Sequence, residues 1–225
     1  MRLRRIHLIA IALVVLTVGL VLGVSFALDP GSKNDRNTDL VTPTLATSGV
    51  RSFAVSAEES RVEFVAAVRG MSLAGVFPVE RGTITLEPVG DQLRVLASLE
   101  INVNGVETAN PALAPLLRAA MDTGDYPIAF YVATSRGLVP VTEEEISFEL
   151  EGELDVHNVA RPHDMQVRAQ LVGGDMWAVA TSTLDLGEHG VEFPAILGST
   201  VIELTARLQA YETAPTGDPV SAADD

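Results

Sequence analysis

The sequence predicts an all-β domain, an eight-stranded antiparallel barrel with one short helix, preceded by an N-terminal transmembrane helix. Three patterns carry that prediction. Residues 146–157 sort Ile146, Phe148, Leu150, Gly152, Leu154 and Val156 onto one parity and Ser147, Glu149, Glu151, Glu153, Asp155 and His157 onto the other, a separation that only a strand produces. About eight segments are one-faced in this way and are joined by hairpin-length turns, the signature of an antiparallel barrel or sandwich. Closure is the preferred form, because the 146–157 strand alone runs ~36 Å and an open sheet of that length exposes unpaired edges. The third pattern is the uncharged run Leu8–Leu28 behind Arg2, Arg4 and Arg5.

Composition narrows the function classes. With 225 residues, 47% of them hydrophobic, the chain holds one domain of ordinary size plus flanking segments. It has no cysteine, which excludes disulfides, thiolate zinc sites, a cysteine nucleophile and a lipidated cysteine. The formal charge of −15 repels phosphate backbones, so no nucleic-acid partner is expected.

Taken in order, the 21 residues of Leu8–Leu28 span ~31 Å as a helix, enough to cross a bilayer. The arginines before them stay in the cytoplasm, which leaves the barrel extracytoplasmic on a single-pass anchor in the cell membrane. Ser25-Phe26-Ala27 supplies small residues for a signal peptidase, so residues 1–28 are a signal anchor or a signal peptide, and cleavage gives a secreted protein. Residues 29–50, with Pro30, Gly31, Pro43 and Ser48, form a flexible linker. The barrel domain occupies 51–211, and 212–225 is a disordered tail.

Within the barrel, Val62, Phe64, Ala66 and Val68 share one parity. Gly70 to Gly75 reads as a break, and Thr83 to Glu87 as the next strand. Leu93, Val95, Ala97, Leu99, Ile101 and Val103 alternate with polar residues after the Pro88, Gly90, Asp91 turn, with Leu96 the one lapse. Leu113, Leu117, Ala120 and Met121 fall at helical spacing, with Asn110 as an N-cap before Pro111; Pro115 holds the regular helix back to about Ala114. Strands follow at 128–134, 146–157, 165–171 and 176–183, the last two joined by the Gly173-Gly174-Asp175 turn, and Ile202, Leu204, Ala206 and Leu208 mark the final one.

Five stretches in this order resemble a known family: Ser60-Arg61-Val62-Glu63-Phe64; Gly75-Val76-Phe77 leading to Gly82-Thr83-Ile84; Met121-Asp122-Thr123-Gly124-Asp125-Tyr126-Pro127-Ile128-Ala129-Phe130; Gly152-Glu153-Leu154-Asp155-Val156-His157-Asn158-Val159-Ala160-Arg161-Pro162; and Leu184-Asp185-Leu186-Gly187. Over residues 51–210 the chain is similar to the YceI-like, polyisoprenoid-binding proteins. The resemblance implies a lipocalin-like barrel, exported, whose apolar bore holds an isoprenoid lipid or quinone. The chain departs from the family pattern at Glu59, at Val68 and Arg69, at Ala109 to Ala112 and at Asn158. With little positive charge on offer, a neutral quinone or prenyl alcohol fits better than a pyrophosphate.

Eight-stranded barrels either fill with side chains or hold one small ligand. Here the inward set is mostly short aliphatics, which favours a void, with a filled core as the alternative. Strand parity nominates Phe64, Val95, Leu99, Ile101, Ile128, Phe130, Phe148, Leu150, Leu154, Val167, Trp177 and Leu204 as ligand-binding residues. His157, His163 and His189 with Asp155, Asp164 and Asp185 are the one set suggestive of a metal site, and they read instead as exposed turn histidines. No Gly-x-Ser-x-Gly occurs, and Glu143 to Glu145, Glu149 and Glu151 read as solvated carboxylates, so no catalysis and no cofactor is expected. The partners are therefore an isoprenoid lipid or quinone and a membrane through the N-terminal helix, with homo-oligomerisation left open. The competing function is an anchored acidic protein-interaction module with a filled barrel.

Overall fold

The computed structural model describes residues 49–68, 71–193 and 199–213. The expected transmembrane helix, all but the last two residues of the linker and all but the first two of the tail lie outside them. Among the described residues no helix is long and apolar enough to cross a membrane.

Twelve strands form one sheet: β1 (Arg51–Val55), β2 (Arg61–Val68), β3 (Met71–Val89), β4 (Gln92–Asn102), β5 (Glu107–Thr108), β6 (Ile128–Ser135), β7 (Val139–Pro140), β8 (Ile146–Val156), β9 (Val159–Pro162), β10 (Met165–Val172), β11 (Asp175–Asp185) and β12 (Val201–Glu212). Eight of them close a ring in the order β2, β3, β4, β6, β8, β10, β11, β12, and every neighbouring pair is antiparallel. The remaining four are short additions. β5 pairs with β3, β7 with β4 and β9 with β8, while β1 continues β2 across residues 56–60 and wedges between the far half of β3 and the end of β12.

The sequence break at Gly70 to Gly75 is not a break over its described residues. β3 runs unbroken for 19 residues, with a register shift between Val79 and Arg81. A bulge bends a strand without ending it, so one half of β3 pairs with β2 and the other with β1 and β4. Gly75 is a close-approach position: a Cβ there would lie 2.5 Å from both the Glu107 carbonyl oxygen and Phe64 Cζ. The helix α1 spans Ala114–Ala120, with Pro115 in its first turn, where a missing N–H is tolerated. Asn110 caps the turn ahead of it, accepting from the Ala112 amide at 3.2 Å, and Leu113 takes the N-cap position.

The two ends of the barrel differ. One carries the β3–β4 and β10–β11 hairpins and the β6–β8 connection, and is called the mouth. At the other, the His157–Asn158 turn has φ of 56° and 60°, the pair of positive values that a two-residue hairpin of this hand needs. Leu117 and Met121 of α1, Val103, Val106 and the 3-10 helix Leu186–His189 are packed into this end with Val191, and they close it.

Candidate ligand-binding bore

The inward faces are apolar because each ring strand alternates. β4 buries Val95, Ala97 and Leu99 while Arg94 and Ser98 face out. β8 buries Leu150, Leu154 and Val156, with Glu151 and Glu153 in solvent. Three cavities lie along the barrel axis. At the mouth, one of about 60 Å³ is lined by Leu93, Val95, Val139, Phe148 and Met176, with Arg51 and Glu144 as its charged residues. It shares Val95, Phe148, Ala169 and Met176 with a second cavity of about 40 Å³ deeper in, whose lining contains no charged side chain. A third, also about 40 Å³, sits toward the closed end and is bounded by Val62, Phe77, Ile101, Met121, Leu154 and Leu204.

A waist divides the second cavity from the third. Leu99, Tyr131 and Ala206 line the upper side, and the next inward residues on the same strands, Ile101, Ala129 and Leu204, line the lower. Tyr131 crosses this waist over Gly152, where a Cβ would come within 2.8 Å of the ring and hydroxyl. The Tyr131 hydroxyl donates to the His163 carbonyl oxygen at 3.1 Å. Burial pushes this phenol well above its usual range, with the Asp164 charge adding, so it remains a neutral donor.

His163 is itself buried. Its backbone N–H donates to the Gly152 carbonyl at 2.8 Å, and its Nε2 hydrogen-bonds Ser182 Oγ at 2.8 Å. Burial holds its imidazole below the usual histidine range, the His189 ring pushes the same way, and Asp164 opposes both. His189 is 1% exposed and donates from Nδ1 to the Val159 carbonyl at 2.7 Å. The expectation of exposed turn histidines therefore fails for both, since each is a satisfied interior group bound to partners far away in sequence. No group of three metal-ligating side chains occurs among the described residues.

At the mouth, Arg51 is held by Glu212 through bonds of 2.7 and 2.8 Å, and its guanidinium lies 5.1 Å from the Phe53 ring centroid. Outside, Arg136 gathers Glu149, Glu151 and Asp164 around one guanidinium. These exposed pairs set local geometry and add little stability.

A family model for the YceI-like domain matches residues 53–210. The chain belongs to the YceI-like family. Two solved structures have the same fold. A polyisoprenoid-binding domain from Saccharophagus degradans, implicated in plant cell wall breakdown, superposes with a TM-score of 0.55 at 17% identity, covering 72% of this chain and 98% of its own. BcnA of Burkholderia cenocepacia gives 0.54 at 14% identity, covering 71% and 99%. No curated protein matches the chain significantly.

In this YceI-like barrel the nominated residues divide by orientation. Val95, Leu99, Phe148, Leu150 and Val167 line the upper cavities, and Ile101, Leu154 and Leu204 the lower one. Phe64 is buried but packs on Phe77, ring centroids 4.8 Å apart. Three nominations are corrected. Ile128 and Phe130 share the outward parity of β6, whose buried set is Ala129, Tyr131, Ala133 and Ser135, and Trp177 lies outside between buried Met176 and Ala178, half exposed at 51%. Each falls on the outward parity of its strand, Ile128 and Phe130 beside buried Ala129 and Tyr131, and Trp177 beside buried Met176 and Ala178. Sequence reasoning did not nominate Tyr131, Met165, Ala169, Met176 or Ala178 for the lining; the inward parity they share with Ala133, Val167 and Ala180 was the available signal.

Proposed function

We propose that this domain binds the chain of an isoprenoid lipid or quinone in its upper cavities, entering from the mouth, outside the cytoplasm. The observation that supports this is the uncharged cavity between Leu99 and Met176, which shares four lining residues with the mouth cavity, in a YceI-like domain whose fold is also that of a polyisoprenoid-binding domain. A dry cavity of about 150 Å³ takes a benzene, and an isoprene unit has similar bulk. The voids are smaller than that, so the chain enters by displacing side chains. Met165 and Met176 are unbranched and adaptable, and half-buried Phe148 stands where the two cavities meet. Each buried CH₂ contributes ~0.8 kcal/mol, so a few isoprene units supply on the order of 10 kcal/mol before association costs. A neutral head suits a mouth whose Arg51 is already held by Glu212. No catalytic step is assigned, and the Leu8–Leu28 run supplies the anchor or the export signal.

The small cavity volumes favour a second reading, a filled barrel that acts as an interaction module. Organic extraction of protein purified from its native host, followed by mass spectrometry, separates the two. A recurrent prenyl lipid near one per chain supports the carrier. An empty extract, with no uptake of offered prenyl lipid, sinks it.

A further inference from the structure

Six of the eleven large exposed hydrophobics among the described residues lie at one end of the barrel. Val50, Val89, Leu138, Val172, Trp177 and Tyr211 are all at the mouth end. By register, Val172 opposes Asp175 and Asp175 opposes Tyr211, so these form one row at the tip of the β10–β11 hairpin. The next outward row down is Gln170, Trp177 and Gln209, and the one below it Arg168, Val179 and Arg207. Successive rows are about 6.6 Å apart along a strand. The outer wall therefore passes from Val172 and Tyr211 on either side of Asp175, with the Tyr211 hydroxyl donating to Glu59, through an indole beside a buried Gln209, to two guanidiniums, of which Arg207 is paired with Glu63, over about 13 Å. That depth order matches a membrane interface, where the headgroup layer on each side is about 5–8 Å thick and indoles settle at its level.

The other five large exposed hydrophobics are spread over the wall and the closed end, where Val65 pairs with Ala74 and Glu203 and Val201 with Asp185. On β6, Val132 sits between Ser98 and Glu153, and Phe130 between Glu100 and Asp155, so carboxylates flank them as Asp175 flanks Val172 and Tyr211. Leu116 stands alone on α1 at the closed end. Among the described residues the mouth sets exposed apolar side chains beside an apolar cavity, and a hydrocarbon chain leaving a bilayer there stays out of water. The polypeptide also enters the barrel at this rim, through Gly49 and Val50. Rim carboxylates at Asp91, Glu143, Glu144, Glu145 and Asp175 disfavour a strongly anionic surface.

We propose that the mouth end docks on a zwitterionic phospholipid bilayer through Val172, Trp177 and Tyr211, with Arg168 and Arg207 at the level of the phosphates. This deepens the carrier reading by naming where the lipid is exchanged, and it rests on that reading. Trp177 is the single tryptophan of the chain, so its fluorescence reports on this surface alone. The test uses the full chain in phosphatidylcholine vesicles with brominated acyl chains. The expected result is a blue-shifted Trp177 emission, quenched at least twofold by the bromines and shielded from aqueous iodide. Val172→Asp and, independently, Leu138→Asp should restore iodide access, whereas Leu116→Asp at the closed end should leave the quenching intact. A Trp177 that stays iodide-accessible on vesicles overturns the proposal. So does quenching removed by Leu116→Asp alone, or protection that grows with protein concentration without vesicles, the mark of a second copy on this face. Extraction of the same samples keeps the two readings separate. Prenyl lipid without quenching refutes docking only, and quenching without prenyl lipid refutes the carrier only.

Discussion

Replacing Gly152 with alanine places one methyl group into the waist. Its carbon would lie 2.7 Å from Ala133 Cβ and 2.8 Å from Tyr131 Cε2 and Oη, against the ~3.5–4.0 Å of an ordinary carbon contact. β6 and β8 are registered side by side at Ala133 and Gly152, so the relief has to come from the Tyr131 ring, which swings away from the His163 carbonyl. Overpacking of this kind costs about 1–3 kcal/mol, and the lost hydrogen bond to a buried carbonyl about 1 more. Removing a glycine from a strand returns about 0.5–1 kcal/mol. The net loss is about 2 kcal/mol, or about 6 °C in Tm for a domain of this size. Urea unfolding at constant m-value measures it. The explanation is sharper in a double-mutant cycle. Tyr131→Phe deletes the hydroxyl that the new methyl strikes, so Gly152→Ala should cost about 1 kcal/mol less in that background. An alanine that is neutral in the parent, or a penalty unchanged by Tyr131→Phe, refutes the account of the waist.

Three further outcomes follow from the bore. Ala178 faces the deeper cavity, so Ala178→Val should raise stability by about 1 kcal/mol, from ~0.8 kcal/mol per added carbon less the imperfect fit, and should lower prenyl-lipid uptake; thermal melts and extraction measure both, and a destabilised variant means the space is already full. Phe148→Asp puts a carboxylate at the junction of the two mouth-side cavities and should abolish lipid retention in protein that still folds by circular dichroism; retention at the parental level counts against entry by this route. The third concerns acid. The unfolded chain takes up a proton on His163 near pH 6.5, while burial keeps the native imidazole neutral to a lower pH. Between those values the unfolded state binds more protons, so the stabilisation is complete above pH 6.5 and is lost as the pH falls through the native value. Urea midpoints at pH 7 and pH 5 should therefore converge in His163→Gln relative to the parent, and equal slopes would exclude His163 as the titrating group.

Much of this was readable from parity. β4 alternates with Leu96 as its one lapse and β8 alternates cleanly, both with charged residues on the second face, and every residue nominated on these two strands is on the inward parity. β6 is apolar on both parities, Ile128, Phe130 and Val132 against Ala129, Tyr131 and Ala133, so hydrophobicity alone does not choose a face. Register decides instead: Ala133 pairs with Gly152, which puts Ala129, Tyr131 and Ala133 inside. The same rule turns Trp177 out and Ala178 in. Gly75 looked like punctuation because glycine often is, yet what it permits is the approach of β5 and the Phe64 ring, contacts with residues distant in sequence. His163 and His189 find their partners 19 and 30 residues away, and no local pattern encodes such pairings.

The seam of the ring joins the first of its strands to the last. Arg61 faces Arg207 across β2 and β12, and Arg51 reaches Glu212 over a separation of 161 residues. Closing so long a loop is entropically slow, and it waits for nearly the whole polypeptide to be made. A chain halted before Val201 would present β2 and β11 as two raw edges, templates for pairing with other chains. The growing domain thus stays an open ribbon until β12, Val201–Glu212, is made and turns that ribbon into a closed barrel.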